Sequence, residues 1–462
     1  MVALVLRLSG PAILGISAHA LQMLANAWFV ADLGAEAIAT IAVAYPVTLV
    51  VAALGYGAGI AAASEVSRAL GRGDPDGAAA AAGLGLGLAL PPGLLLTALV
   101  VLDPAFWLTR LGADAALAAA ASPYTALSTV GTALMLVMIV GGFVVRAQGR
   151  AALSGAVMIG SFGLNIVLDW VLIRLMGLGT AGAGWAAIGA QGAAALVYAA
   201  HFAGARPRLR LPPWDARATR ALARRMLGLG LPATGSSLLA AFAMALFVQA
   251  AAPFGDPAVA ALGLALRIAT VAALPVLGLM AGAQAVLGHS LGAGRPDRLR
   301  RALGFVTAAS LGYGILVGAL MIALADPLAG LFAADAATRA AGARAVAAFA
   351  VAFLPLGLQL TAATLFQAIG AARRAAAVSL AAQGLALIPP LLVLPHLLGY
   401  EGVLASRIAA EFLADVLGAV LLLAWLREGP LGAGAGPPVA APVEGGEAGE
   451  VAPPHQPAHE GA

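Results

Sequence analysis

The chain has 462 residues, of which 62% are hydrophobic and only 10% are charged, with a mean hydropathy of +0.97. Soluble domains carry about 25% charged residues, so this composition excludes a water-soluble globular protein and indicates an integral membrane protein. The net charge is +4, but the basic residues are all arginines and most lie in short loops between apolar runs, a distribution that argues against a nucleic-acid-binding surface.

Apolar segments long enough to cross a bilayer recur along the chain. A span needs about 20 apolar residues, and the Ala/Leu/Gly runs lack the alternating pattern of barrel strands, so we predict an all-α bundle. The first segment continues without a cleavage site and is interpreted as a retained helix. Arg, Pro, Gly and Asp residues interrupt the apolar runs and divide the chain into twelve predicted helices, at 8–30, 38–64, 79–101, 124–145, 152–173, 181–202, 227–252, 259–287, 303–324, 345–368, 375–397 and 402–426.

Polar residues interrupt helix 1. His19, Gln22 and Asn26 recur at helical spacing and share one face, which would be costly against lipid. We therefore expect this face to point into the bundle. His19 could assist proton transfer, since imidazole titrates near neutral pH, or the stripe could simply hydrogen-bond neighbouring helices.

Helix 5 carries an acid, Asp169, one turn after Asn165. Acids inside apolar segments usually mark ion or proton pathways, so we predict that Asp169 takes up the coupling ion and that Asn165 supplies an amide oxygen. A rise of 1.5 Å per residue places Asn26 and Asp169 both about 26 Å above the cytoplasmic ends, so the two could meet. The alternative is an ordinary polar cap at the outer interface, beside Arg174.

Alternate loops differ in charge. Those on one side hold most of the arginines, including Arg68, Arg146 and Arg295, whereas the loops on the other side hold acids such as Asp32 and Asp256. The positive-inside rule then predicts a multi-pass protein of the bacterial cytoplasmic membrane with both termini in the cytoplasm.

The two halves of the chain repeat each other. The segment "RALGRGDPDGAAAAAG" (68–83) aligns with "HSLGAGRPDRLRRALG" (289–304) at an offset of 221, which also pairs Pro11 with Pro232 and Gly57 with Gly278. Since six helices are even in number, the repeats are parallel and form two lobes around a central cleft. We predict an N-terminal lobe at 1–204, a cytoplasmic linker at 205–225, a C-terminal lobe at 226–428 and a disordered cytoplasmic tail at 429–462.

These residues resemble the multidrug and toxic compound extrusion (MATE) family. The resemblance rests on "FVADLGAEAIA" after helix 1, on "SRALGRGDPDGA" after helix 2 and on "NIVLDWVLI" in helix 5. It implies an efflux antiporter driven by protons or sodium ions. Two departures stand out: Asn26 occupies the place of the family's helix 1 aspartate, and "AGAGWAAIGAQ" in helix 6 lacks the family's threonine.

The cleft between the lobes is the expected substrate site. Its tentative lining combines deformable apolar side chains with polar ones, namely Met158, Phe162, Phe247, Gln249, Arg267 and Gln284. Pro355 and Pro389-Pro390 should break helices 10 and 11. Arg407, Glu411 and Asp415, four residues apart in helix 12, should neutralise one another.

We therefore expect a monomeric secondary antiporter that exchanges protons or sodium ions for lipophilic small molecules, cationic ones included, by alternating access. A sodium ion would bind at Asp169 and Asn165. No cofactor is expected, since the chain has no cysteine, no nucleotide-binding loop and no metal-ligand spacing among its histidines, and no enzyme activity is expected either. The alternatives are a lipid-linked saccharide flippase, which would favour a more basic cleft, and a non-transporting sensor.

Overall fold

The computed structural model describes residues 1–204, 216–330 and 336–429, and within these ranges every regular element is a helix. The predicted linker lies partly outside the described residues, and the predicted tail lies outside them from residue 430 onward. The first lobe contains helix 1 (Val2–Ala31), helix 2 (Ala35–Gly71), helix 3 (Pro75–Leu102), helix 4 (Ala115–Ala147), helix 5 (Ala151–Leu175) and helix 6 (Gly179–Gly204).

The second lobe repeats this order. It contains helix 7 (Ala216–Ala251), helix 8 (Asp256–Gly292), helix 9 (Pro296–Ala323), helix 10 in two pieces (Ala336–Phe353 and Gly357–Ile369), helix 11 in two pieces (Ala372–Leu380 and Ile388–Leu398) and helix 12 (Tyr400–Glu428). Short helices at Pro104–Arg110 and Ala325–Gly330 follow helices 3 and 9. The predicted twelve-helix membrane fold in two parallel lobes is confirmed.

Several helices extend beyond their predicted bounds. Helix 1 begins at Val2 rather than residue 8, helix 4 at Ala115 rather than 124, and helix 7 at Ala216 rather than 227. Counting apolar residues finds the part of a helix that crosses the hydrocarbon, whereas the backbone hydrogen bonds continue into the interface, where polar residues are tolerated.

The proline breaks occur close to where they were predicted. Helix 10 is interrupted at residues 354–356 around Pro355, and helix 11 is distorted over residues 381–387, immediately before Pro389 and Pro390. Proline lacks the N–H of a helical hydrogen bond and crowds the preceding turn, so each break exposes backbone groups that need new partners.

Asp415 accepts a hydrogen bond from one of the backbone N–H groups that the break in helix 10 leaves without a helical partner. Its Oδ1 atom accepts a hydrogen bond of 3.0 Å from the backbone N–H of Gln359, in the first turn of the second piece of helix 10. This is a helix N-cap supplied by another helix, since Asp415 belongs to helix 12. The expected mutual neutralisation of the helix 12 charges is therefore only partly right. Arg407 forms an ion pair with Glu411, while Asp415 caps helix 10.

The lobes are related by a twofold axis, which is visible in matched contacts. A Cβ atom added at Gly71 would lie 2.4 Å from the His289 carbonyl oxygen, and one at Gly292 would lie 2.2 Å from that of Arg68. These contacts exchange under the offset of 221 found in the sequence. Gly71 and Gly292 end helices 2 and 8, so both Arg-rich ends lie on one side, as parallel repeats require.

The lobes therefore touch at the Arg-rich ends. Ser64 Oγ donates to the Gln367 carbonyl at 2.5 Å, and Arg68 Nη1 donates to the Ile369 carbonyl at 2.8 Å. Glu65 pairs with Arg68 of its own lobe at 2.8 Å and with Arg225 of the other at 3.2 Å. These contacts close the cleft on the Arg-rich side.

Replacing Asp415 by alanine should destabilise the protein, because the buried N–H of Gln359 would lose its acceptor. The loss should be about 1–3 kcal/mol, and Asp415→Asn should lose less, since its amide oxygen can still accept. Thermal unfolding of the purified protein in detergent measures both. Equal melting temperatures for the alanine variant and the unmodified protein would contradict the capping role.

Replacing Gly71 by alanine should push the lobes apart at the Arg-rich ends, because the added methyl group meets backbone atoms that cannot move independently. The cysteine-free chain allows specific spin labels at Arg72→Cys and Arg300→Cys, both exposed positions, and pulsed electron paramagnetic resonance then measures their separation. Longer distances should gain population. Gly87→Ala is the matched control, since no atom lies within 4 Å of its added Cβ; identical distance distributions for all three proteins would refute the steric seal.

Candidate functional site

Asp169 lies inside the first lobe with no exposed surface. Helix 5 is α-helical up to this residue and continues as a π-helix over Trp170–Leu175. Such wider turns are rare and often occur at functional sites. Within the described residues, Asp169 Oδ1 is buried without a hydrogen-bond partner. This burial does not fit the alternative interpretation of Asp169 as a polar cap at the outer interface.

Asn165 connects Asp169 to helix 1. Gln22 Nε2 donates to Asn165 Oδ1 at 2.6 Å. If the Asn165 amide is turned over, its nitrogen donates to Asp169 Oδ2 at 3.2 Å and its oxygen accepts from the Ala187 backbone N–H at 3.3 Å. Oxygen and nitrogen of an amide are nearly equal in shape, so both orientations fit the same space.

The charge of Asp169 selects between these orientations. An ionised carboxylate can only accept, which favours the amide nitrogen facing it, with Gln22 turned to accept as well. A protonated carboxyl can instead donate to the Asn165 oxygen, the orientation in which Gln22 Nε2 also donates to it, but the Asn165 nitrogen then faces the Ala187 backbone N–H, which is a donor too. In either orientation Asn165 contacts both Gln22 and Asp169, so the three side chains form one connected chain.

The other residues of the helix 1 stripe lie on the cleft wall. Asn26, His19 and Gln22 all line a cavity that also reaches Asn165. The His19 ring stacks on Phe162 with 4.6 Å between ring centroids and 18° between planes. The expected meeting of Asn26 with Asp169 is replaced by the contact of Gln22 with Asn165, because helix 1 starts six residues earlier than predicted and the depth count shifts accordingly.

The outer ends of helices 1 and 5 are joined separately. Arg174, at the end of the π-helix, forms an ion pair with Asp32 and lies 5.1 Å over the Trp28 ring. The acidic partner of Arg174 is therefore Asp32, and Arg174 does not neutralise Asp169.

Two connected cavities form the cleft. The outer cavity, of about 860 Å³, is lined towards the acidic loops by residues such as Asn26, Ile38 and Tyr45. The inner cavity, of about 590 Å³, reaches towards the Arg-rich side and includes Arg146 and Gln367. The residues that line both cavities are His19, Tyr56, Met135 and Phe162.

Four of the six tentative substrate residues line this cleft. Met158 and Gln284 line the inner cavity, Phe162 lines both, and Arg267 lines the outer cavity. Phe247 and Gln249 lie elsewhere, so their assignment to the cleft is wrong. Phe247 is buried in the second lobe and Gln249 is exposed, because the face of helix 7 that carries Gln249 turns outward.

A third cavity lies within the second lobe. It has a volume of about 230 Å³ and is lined by Phe247, Phe349, Arg407 and Glu411 among others. Glu411 accepts hydrogen bonds from Gln359 and Arg407, and the Arg407 guanidinium lies 5.6 Å over the Phe349 ring. The Glu411 carboxylate is therefore paired, unlike that of Asp169, although Gln359 Oε1 and Arg407 Nε are buried without a hydrogen-bond partner among the described residues.

Sequence reasoning missed Arg146 and Tyr56 as cleft residues. Arg146 was counted among the loop arginines, yet it is only 9% exposed and lines the inner cavity. The sequence signal for Arg146 is its position within "RAQGR". Helix 4 ends at Ala147, so Arg146 belongs to the last helical turn and not to the loop. Tyr56 gave no sequence signal, because a tyrosine in an apolar helix usually packs in the core.

Comparison with known proteins is consistent with this architecture. The MatE family model matches residues 11–171 and again residues 232–392. Both ends of the second match lie 221 residues after those of the first, which confirms the repeat register read from the sequence.

Individual relatives are named for the transport of different compounds. The chain is 26% identical to a FAD transporter of Shewanella oneidensis over 78% of this chain and 80% of the relative. It is 25% identical to the multidrug export protein MepA of Staphylococcus aureus, over 70% and 72% of the two chains.

Solved structures share the fold. The Vibrio cholerae MATE transporter VcmN superposes with a TM-score of 0.87 at 23% identity, covering 92% of this chain and 97% of that one. An outward-facing multidrug resistance MATE transporter superposes with a TM-score of 0.83 at 24% identity, covering 90% and 94%.

Replacing Arg174 by glutamine should leave both stability and transport nearly unchanged. The side chains of Arg174 and Asp32 are 39% and 41% exposed, and ion pairs this exposed contribute about 0–1 kcal/mol to stability. Melting temperature and dye export report the two properties. A loss of transport with an unchanged melting temperature would instead place Arg174 in the coupling site.

Proposed function

Because the chain belongs to the MATE family of membrane transporters, we propose that it is a secondary active exporter in which Asp169 couples ion entry to efflux of small lipophilic molecules. The observation that supports this most directly is the fully buried Asp169 carboxyl, linked through Asn165 to the wall of the cleft. An unpaired acid at this depth is costly and is best explained by a cycle of ion uptake and release.

The proton is the coupling ion that the surroundings of Asp169 favour. Calcium and magnesium sites offer about six or more oxygens, and among the described side chains the hydrogen-bonded network of Asp169 adds the amide oxygens of Asn165 and Gln22. A proton needs only one acceptor. Sodium at Asp169 and Asn165 is the alternative that the experiment below distinguishes.

Helix 1 would carry the signal from Asp169 to the lobe interface. Gln22 on this helix contacts Asn165 and would therefore respond to ion uptake by Asp169. Near the other end of the same helix, Ser9 Oγ donates to the Leu279 carbonyl of helix 8 at 3.3 Å. A change in the hydrogen bonds of Gln22 therefore acts on a helix that contacts both lobes. Differential stability of the two lobe arrangements is what ion binding must alter.

The available driving force is adequate for such a cycle. One charge that moves through a potential of 100 mV gains about 2.3 kcal/mol, comparable to a change of more than tenfold in affinity between the two faces. If the Arg-rich side faces the cytoplasm, as the positive-inside rule predicts, cargo would leave from this arrangement, in which the lobes are closed on that side.

The cargo class follows the relatives and the cleft lining. One relative is named for FAD and another for multidrug export, and aromatic and methionine side chains line both cavities here. Lipophilic aromatic compounds suit such walls. A lipid-linked saccharide is the alternative cargo, and a sensor would bind ligand without moving it.

Asp169→Asn should abolish ion-driven export while leaving the fold intact, because asparagine fills the same space but cannot take up a proton. Proteoliposomes loaded with a panel of fluorescent dyes, under separately imposed pH and sodium gradients, measure the export rate. We expect a pH gradient to drive the unmodified protein and a sodium gradient to have no effect of its own.

Glu36→Gln is the matched control, since Glu36 is an exposed acid at the start of helix 2. It should export as the unmodified protein does. Export by Asp169→Asn at the unmodified rate would remove Asp169 from the mechanism, and export driven only by sodium would replace the proton by that ion. A protein that binds dyes but exports none under either gradient would be a sensor.

A further inference from the structure

Arg146 is a buried cation without an acidic partner among the described residues. It is 9% exposed, its guanidinium lies 4.6 Å over the Phe143 ring, and its Nη1 donates to Ser154 Oγ at 2.8 Å. Buried arginines are nearly always paired with an acid. The end of helix 4, at Ala147, offers Arg146 only the partial negative charge of its carbonyl groups.

The lining of the cleft has one sign of charge. The inner cavity contains Arg146 and the outer cavity contains Arg267, while neither cavity has an aspartate or glutamate among its described lining residues. A wall with desolvated positive charge attracts anions and repels cations. The cationic cargo considered from the sequence is therefore disfavoured.

Flat rings line the same space. His19 and Phe162 stack in parallel, and Tyr56 meets Phe143 edge to face with centroids 6.4 Å apart. Both pairs line the inner cavity, and Phe143 also carries the Arg146 guanidinium. A planar ring bound among these side chains places a substituent within reach of Arg146.

Amide side chains of the other lobe complete the inner cavity. Gln284, Gln359 and Gln367 line it, and Gln367 occupies the position of Arg146 in the second repeat, at the offset of 221. Amides can donate and accept towards the nitrogen and carbonyl groups of a heteroaromatic ring. One wall therefore offers a charge and the other offers neutral hydrogen bonds.

We propose that the cleft binds planar heteroaromatic anions and that Arg146 is the specificity residue that binds their carboxylate or phosphate group. The guanidinium is suited to either group, since it can donate two parallel hydrogen bonds. The assignment rests on the proposed export function for its biological meaning, but binding can be measured without transport. An inside-negative potential also favours outward movement of an anion.

Riboflavin and flavin mononucleotide test the proposal, because they share one ring system and differ by a phosphate. Fluorescence anisotropy of each, titrated with the full-length protein in detergent, gives the dissociation constants. We expect tighter binding of the mononucleotide. Arg146→Gln should weaken the mononucleotide by about tenfold or more, as loss of a charge-assisted bond does, and change riboflavin by less than about threefold.

Three variants make the outcome specific. Arg110→Gln removes an exposed arginine that lies over Phe106, outside both cavities, and should bind both flavins as the unmodified protein does. Arg146→Lys keeps the charge and should recover part of the affinity, which also guards against a folding defect in the glutamine variant. Glu36→Gln removes an exposed acid outside both cavities and should bind the mononucleotide as the unmodified protein does, which controls for a general change in charge.

Several results would overturn the proposal. These are equal binding of the mononucleotide by Arg146→Gln and the unmodified protein, stronger binding of the cationic dye rhodamine 123 than of the mononucleotide, and no saturable binding of either flavin. Displacement of a bound anionic probe by undecaprenyl phosphate but not by the mononucleotide would assign Arg146 to a lipid phosphate instead.

Discussion

The close approach of backbone to backbone at the twofold axis is the constraint on which the rest of the structure depends. Gly71 and Gly292 have no Cβ, so helices 2 and 8 meet there at distances that a side chain would forbid. The same pairing recurs further along the axis, where a Cβ at Gly57 would meet Thr234 and one at Gly278 would meet Ile13. Only with the lobes joined in this way do the two cavities form one cleft.

The symmetry of the lobes contrasts with the asymmetry of their chemistry. At the same offset, Asp169 corresponds to Pro390 and Asn26 to Phe247, so the second lobe has no acid at the position equivalent to Asp169. The buried acids of the second lobe lie on helix 12 instead, where Glu411 pairs with Arg407 and Asp415 caps helix 10 through Oδ1, while Asp415 Oδ2 has no hydrogen-bond partner among the described residues. A symmetric scaffold allows two shapes of similar energy, and a one-sided site allows an ion to choose between them.

The sequence was sufficient for the features that depend on periodicity and register. Hydrophobic length gave the helix count, the offset of 221 gave the parallel lobes, and Asp169 was recognised because an acid in an apolar helix has few explanations. Features that depend on rotation about a helix axis were beyond it. Gln249 faces outward and Arg146 faces the cleft, and neither orientation is fixed until neighbouring helices pack. The predicted meeting of Asn26 with Asp169 failed because helix 1 begins six residues earlier than predicted, and Gln22 contacts Asn165 instead.

The π-helix after Asp169 restricts how this part of the chain can vary in length. A wider turn holds one more residue than an α-helical turn, and an α-helix advances by about 100° with each residue. A chain shorter by one residue between Trp170 and Arg174 could run as an uninterrupted α-helix with the arginine still directed towards Asp32, whereas the same deletion in a regular turn would rotate all later side chains by about 100°. Tolerance of single-residue deletions should therefore differ sharply between this stretch and the regular turns that precede it.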